Sequence, residues 1–277
     1  MRILIFGASG MLGRTLFKFL SNDDTFHVFG TVRTATVHQN IIPHVSVESI
    51  DSLSKAFEIA KPHAVINCIG LVKQLSDGNV PLKAIAINSQ LPHQLSALCK
   101  PTQTRLIQIS TDCVFSGAKG NYDEEDIPDA KDIYGRSKLL GEVLDAHALT
   151  LRTSIIGHDQ SSQKSLLEWF LSQKEQTKGY TRAIFSGFPT IELAKIIKQI
   201  LCQHQSLTGI YHVASQPINK FDLLSLIAKI YQKTIQIIPD ETLTIDRSLN
   251  GSRFTQATGY TAPSWPELIQ VMYACEK

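Results

Sequence analysis

The run Arg2–Phe6 passes directly into Gly7-Ala8-Ser9-Gly10-Met11-Leu12-Gly13, and this junction constrains the chain more than any other stretch. The apolar run reads as a buried strand. Beyond the loop, Leu12, Leu16, Phe19 and Leu20 recur at helical spacing on one side. Strand, glycine loop and helix in this order open a unit that holds a dinucleotide. Glycines let the backbone approach a pyrophosphate, and a helix N-terminus offers N–H donors at the positive end of its dipole. The spacing is Gly-x-x-Gly-x-x-Gly, not the commoner Gly-x-Gly-x-x-Gly. Gly7, Ser9, Gly10, Met11, Leu12 and Gly13 are the expected cradle.

Strand and helix patterns then alternate to about residue 157. Residues 26–32 read as the second strand, 45–47 as a short third, 49–60 as a helix, and 63–69 as an apolar strand ending at Gly70. A run that apolar suits a central strand of a parallel sheet covered on both faces. Ligands in such sheets sit at the carboxyl ends of strands, which puts Cys68, Ile69 and Gly70 beside the cofactor. Residues 73–81 read as a polar loop, 85–98 as a helix carrying Asn88 and His93, 105–109 as a fifth strand and 149–157 as a sixth. The expected fold is a doubly wound parallel α/β sheet of the Rossmann type over residues 1–157. Residues 158–277 read as a smaller α/β lobe for substrate, with room for the two parts to exchange segments. Its expected elements are helices at 165–173, 191–203, 220–231 and 265–274, strands at 181–185, 209–214 and 235–238, and a turn at 187–190.

Arg33 decides the cofactor. A site selective for NAD places Asp or Glu near the end of the second strand, for the ribose 2′-hydroxyl. Here that place holds Thr31, Val32 and Arg33, while Asp23 and Asp24 come too early. A guanidinium suits a 2′-phosphate, so NADPH is expected over NADH.

The totals exclude several classes. With 43% hydrophobic and 19% charged residues the chain is not a disordered segment. A net charge of +2 with scattered basic residues gives no surface for a nucleic acid polymer. No apolar run is long enough to span a membrane, and the N-terminal run is too soon interrupted to read as a secretory signal. None of the five cysteines, Cys68, Cys99, Cys113, Cys202 and Cys275, forms a Cys-x-x-Cys pair. A cytoplasmic protein with reduced thiols and no metal site is expected.

The chemistry is expected at two later stretches. Ser110-Thr111-Asp112 follows the fifth strand, where Ser110 would lie by the cofactor and the Thr111 hydroxyl suits a substrate carbonyl. An acidic, turn-rich loop at 117–130 follows. Tyr134 and Lys138 then share a helix face, with Leu139, Leu140, Val143 and Leu144 continuing an amphipathic period. An ammonium beside a phenol stabilises the phenolate and lowers its pKa, which makes Tyr134 a proton donor or acceptor near neutral pH. Arg247, in a polar loop of the second lobe, is expected to reach a substrate diphosphate or base.

Three separated motifs agree: Gly7-x-x-Gly10-x-x-Gly13, Ser110-Thr111-Asp112-Cys113-Val114-Phe115-Ser116-Gly117, and Tyr134-Gly135-Arg136-Ser137-Lys138-Leu139-Leu140-Gly141-Glu142. Together they resemble the extended short-chain dehydrogenase/reductases, and more closely the dTDP-4-dehydrorhamnose reductase family. Leu151-Arg152-Thr153-Ser154 and Gly187-Phe188-Pro189-Thr190 match further family landmarks. The resemblance implies reduction of the 4-keto group of a nucleotide-linked 4-keto-6-deoxy sugar, carried by dTDP or UDP, in deoxysugar or surface-polysaccharide biosynthesis. It implies that Tyr134 protonates the alkoxide, that Lys138 lowers the tyrosine pKa and holds the nicotinamide ribose, and that Thr111 binds the carbonyl oxygen. Asp112 and Cys113 fall on the substrate side. Cys113 replaces the family's usual tyrosine, and Ile155 stands where an aromatic is usual. Dehydratases of the superfamily carry Glu where this chain has Cys113, which disfavours dehydration. An epimerase shares the Tyr-Lys pair, and the regulatory subunit of methionine adenosyltransferase resembles the same family as an NADP-holding binding module. A homodimer is compatible with all three.

Overall fold

Along the first strand, Ile3 and Ile5 face one side and Leu4 and Phe6 the other, and each pair joins a separate apolar layer. Successive residues of a strand alternate faces, so a strand apolar at every position needs cover on both sides. The computed structural model describes residues 1–71, 80–159 and 165–275. In chain order it begins β1 (Arg2–Phe6), α1 (Met11–Ser21), β2 (His27–Thr31), β3 (Ile41–Ile42), α2 (Ile50–Ala60) and β4 (Ala64–Asn67). There follow α3 (Pro81–Ala84), a π-helical turn over Ile85–Gln90, α4 (Leu91–Cys99), β5 (Arg105–Thr111), α5 (Ile133–Leu140), β6 (Ala148–Thr153) and β7 (Ile155–Ile156). The remainder comprises α6 (Leu166–Ser172), β8 (Gln176–Tyr180), β9 (Ala183–Phe185), β10 (Phe188–Pro189), α7 (Thr190–Gln203), β11 (Gly209–His212) and β12 (Ile218–Asn219). The last elements are α8 (Lys220–Ile230), β13 (Gln236–Asp240), β14 (Ile245–Asp246), α9 (Ser252–Thr258) and α10 (Trp265–Ala274).

The main sheet is parallel and runs β11-β6-β5-β4-β1-β2-β3. Strand order reverses between β1 and β4, and the glycine loop leaves β1 at that crevice, where open α/β sheets take their ligands. On one face Leu16 and Leu20 of α1 pack with Leu193 and Ile197 of α7. On the other, Leu53 and Ala56 of α2 pack with Leu91 and Leu95 of α4. Local signals set several ends. Ser49 caps α2, Asp132 caps α5, and Ser264 with Glu267 forms a capping box on α10.

The doubly wound parallel sheet is as expected, and several elements differ from the sequence reading. The third strand is Ile41–Ile42, not 45–47. Pro43 brings no N–H to a ladder and His44 takes a positive φ of 57°, which ends the extended run. Val45 still buries its side chain and donates its N–H to the Val32 carbonyl. The sixth strand divides: β7 leaves the main sheet and pairs with β10, so the expected turn at 187–190 contains a strand. The expected strand at 181–185 begins only at Ala183, and β8 precedes it, paired with β13. Helix α5 stops at Leu140. Gly141 presses on the Asn88 carbonyl, where a Cβ would lie 1.9 Å away, and Leu140 and Leu144 are exposed. Most of the expected loop at 73–81 lies outside the described residues, and its last residue, Pro81, opens α3. β11 extends the main sheet beside β6, and α7 packs on α1, with Thr15 Oγ1 donating to Thr190 Oγ1 at 3.2 Å.

Candidate active site

The glycine loop meets the demands of a phosphate cradle. Gly7 has φ +84°, a conformation L side chains rarely adopt. A Cβ on Gly13 would sit 2.1 Å from the Gly7 carbonyl oxygen, so only glycine lets α1 start this close to β1. Gly10, by contrast, meets only the Gly7 carbonyl at 3.5 Å. Among the described residues no side chain caps the N-terminus of α1, and no acidic residue stands in its first turn. Its N–H groups and dipole are left for an anion. Ser9 is exposed in the loop, Met11 is half-buried, and Leu12 anchors the helix in the core. Arg33 is exposed just past β2. These residues fit a dinucleotide phosphate.

The carboxyl ends of β4 and β5 bring the remaining groups together. Lys138 Nζ donates to the Ile109 carbonyl at 2.7 Å. A Cβ on Gly70 would lie 3.8 Å from the same Nζ, which puts the end of β4 against the ammonium. Burial lowers the Lys138 pKa to about 8, against the raising effect of the Glu142 carboxylate. Burial pushes the Cys68 thiol up to about 12, so it stays protonated. Thr111 is buried; its Oγ1 accepts from the Cys113 N–H at 3.1 Å, bonds Asp112 Oδ1 at 3.1 Å, and lies within hydrogen-bond reach of the Tyr134 phenol.

The tyrosine pKa runs against expectation. Burial raises it, the neighbouring Cys113 adds to the rise, and the Thr111 hydrogen bond only partly offsets both. Desolvation disfavours the phenolate, and the Lys138 ammonium is directed at the Ile109 carbonyl. Tyr134 is therefore a phenol at neutral pH, the form a proton donor needs.

Asp112 is buried at the same strand end. Burial raises its pKa, while hydrogen bonds from Cys113 and Thr111 and the charges of Arg247 and Lys220 lower it. Arg247 follows β14, and its Nε donates to the Phe115 carbonyl at 2.8 Å. The second lobe thus brings two cations toward Asp112, one of which, Lys220, has no distinguishing signal in sequence. The Ser110 hydroxyl turns away from the site: it donates to Glu142 Oε1 at 2.7 Å.

Asn88 belongs to the site's scaffold. Its Oδ1 accepts from the Leu71 N–H at 2.8 Å, and its Nδ2 donates to the Leu71 carbonyl and to Ser137 Oγ, each at 3.1 Å. The π-helical turn aims it there, and such bulges often mark functional positions. Gly135 is equally constrained, since a Cβ would lie 2.2 Å from the Cys113 carbonyl. The glycine directly after the tyrosine is the sequence signal for that contact.

With a glycine cradle at the switch point, Thr111 at the end of β5 and Tyr134 and Lys138 on α5, the chain has the arrangement of an extended short-chain dehydrogenase/reductase. The chain belongs to the RmlD substrate binding domain family, whose profile matches residues 1–267. It is similar to the dTDP-4-dehydrorhamnose reductase of Streptomyces griseus, 32% identical over 142 residues, or 51% of this chain and 43% of that protein. It is also similar to methionine adenosyltransferase 2 subunit beta of Xenopus tropicalis, 25% identical over 244 residues, 82% of this chain and 71% of that protein. Among solved structures, the dTDP-4-dehydrorhamnose reductase of Bacillus anthracis in complex with NADP shares the fold, with a TM-score of 0.84, 22% identity, and coverage of 100% of this chain and 99% of that one.

Proposed function

We propose that this chain is an NADPH-dependent reductase of the 4-keto group of a nucleotide-linked 4-keto-6-deoxy sugar, with dTDP or UDP as the nucleotide. The observation that carries this reading is the meeting of Thr111, a protonated Tyr134 and Lys138 at one strand end, beside the glycine cradle. Gly7, Gly10 and Gly13 take the pyrophosphate on the N-terminus of α1, and Arg33 takes the 2′-phosphate. NADPH, when bound, supplies the hydride to C4. Thr111 Oγ1 donates to the carbonyl oxygen as negative charge grows there. Tyr134 gives its phenolic proton to that oxygen. Lys138 keeps a positive charge behind the phenol and holds the nicotinamide ribose. Asp112 and Cys113 line the sugar side, and Arg247 meets the diphosphate. Ser110 serves through its backbone, because Glu142 takes its hydroxyl.

The relatives named methionine adenosyltransferase 2 subunit beta, similar over 82% of this chain, favour a second reading, an NADP-holding module that acts on a partner. The experiment that separates the two is NADPH oxidation with dTDP- and UDP-linked 4-keto-6-deoxy sugars, with NMR identification of the product. Stoichiometric oxidation and one reduced sugar support the reductase. Tight NADPH binding without turnover of either sugar class rejects it in favour of the module.

A further inference from the structure

Behind Lys138 lies a chain of buried polar groups that the proposed chemistry does not use. Ile109 accepts from Lys138, and the next residue, Ser110, donates to Glu142. Glu142 stands four residues after Lys138, just past the end of α5. Arg152 of β6 clamps its carboxylate in a fork: Nε to Oε1 and Nη2 to Oε2, each at 2.8 Å. Both side chains are almost wholly buried, 5% and 4% exposed. The remaining guanidinium arm, Nη1, donates to His212 Nε2 at 3.2 Å. A guanidinium can only donate, so Nε2 accepts and Nδ1 carries the proton toward the Tyr122 carbonyl, 2.9 Å away. His212 is thus neutral, and Arg152 is the sole cation of this group.

We propose that Glu142, clamped by Arg152, is a positioning residue for Lys138: it ties down the 109–110 strand end to which Lys138 donates and supplies the negative charge that keeps the ammonium charged. The inference rests on the reading of Lys138 as part of the reacting group. The groups facing Lys138 are Glu142 from the turn beyond its own helix, Cys68 from just past β4, Arg152 behind Glu142 from β6, and the uncharged Asn88. Of these, the Glu142 carboxylate raises its pKa most. Arg152 offsets part of the Glu142 charge at Lys138. Removing one or the other must therefore move Lys138 in opposite directions, which a purely structural role would not do.

The test is an NMR titration of the purified, ligand-free protein carrying lysine labelled with carbon-13 at Cε, with Lys138 assigned by a Lys138→Met spectrum. In Glu142→Gln the negative charge goes and the Arg152 charge remains. The Lys138 midpoint should then fall from about 8 by roughly one pH unit. At pH 8 that cuts the charged fraction about fivefold. In Arg152→Met the carboxylate is left unopposed and the midpoint should rise. Glu142→Asp keeps the charge and should keep the midpoint while lowering kcat. Midpoints that stay put, or move the same way in Glu142→Gln and Arg152→Met, overturn the proposal. If Glu142→Gln does not fold, Arg152→Met and Glu142→Asp decide: an unraised midpoint in the first or a lowered one in the second is equally fatal. Failure of the reductase reading looks different, because wild type would then oxidise no NADPH whatever Lys138 does.

Discussion

Residues 1–157 and 158–277 reach their structures by different routes. In the first region β1, β4 and β6 are buried along nearly their whole length, and α1, α2 and α4 each bury apolar residues along one side. In the second, β13 exposes or half-exposes four of its five residues, and β10, β12 and β14 are two residues long. A buried strand carries its own instruction in its apolar run, while a short polar strand forms only where another backbone offers partners. The two regions also divide the chemistry. Every group proposed at the reacting carbonyl comes from the first, whereas the second adds cations, Arg247 and Lys220, that face Asp112. Changes in the first should therefore act on kcat or the cofactor, and changes in the second on KM for the sugar.

The sharpest way to break this division is Tyr134→Phe. The ring and its packing remain while the proton donor goes, and kcat should fall by about 10²–10⁴. NADPH affinity, read by fluorescence titration, should hold. Near wild-type turnover would remove Tyr134 from the chemistry. Arg247→Ala tests the other side. Loss of a charge-assisted contact of about 1.5–3 kcal/mol should raise KM for the nucleotide sugar by about tenfold or more, with kcat and NADPH affinity unchanged. A fall in kcat at constant KM would put the second lobe in the reacting group after all.

Arg33→Asp probes the cofactor within the first region. It should turn preference from NADPH toward NADH by about tenfold in kcat/KM. Equal use of both cofactors by wild type would retire the role of Arg33. The smallest effect is expected at the junction, where His212 of β11 is hydrogen-bonded to the acidic loop through Tyr122 and Glu124. Burial and the Arg152 charge lower its pKa to about 4, from an ordinary 6.5. Between those values the unfolded chain binds the proton and the folded chain does not, so stability is present above pH 6.5 and is lost as pH falls toward 4. Between pH 6.5 and 5.5 the loss is about 1 kcal/mol, or roughly 2–4 °C in Tm. His212→Gln should lack that share of the acid slope in thermal scans at the two pH values. An identical slope in both proteins would free the junction from any dependence on this imidazole.

The legible parts of the fold share one property: their signal is complete within a few residues. The glycine loop appeared as written in the chain, and so did the helix that carries Tyr-x-x-x-Lys. What escaped were pairings made at a distance. β8 reads Gln-Thr-Lys-Gly-Tyr and resembles a loop until β13 lies beside it. Glu142 and Arg152 both stood inside recognisable motifs, yet nothing in either motif says that they hold one another. The pKa of Tyr134 went astray for the same reason. Adjacency of a lysine suggested a lowered value, but the sign depends on how much water is left and on what the lysine touches.

By itself the sequence determined the βαβ opening, the alternation of strand and helix through residue 157, and the presence of a tyrosine and a lysine on one turn-spaced face. These follow from local rules, the 3.6-residue period and the sterics that allow glycine alone a positive φ or a contact as close as that of Gly13. Only the tertiary structure decided that β11 and α7 complete the first region's sheet and layer, that Asn88 fastens the Leu71 backbone to Ser137, and that Lys138 is backed by a carboxylate held in an arginine fork. Hydrogen bonds between residues tens of positions apart, and the desolvation that sets a buried group's charge, depend on distances that a linear chain does not contain.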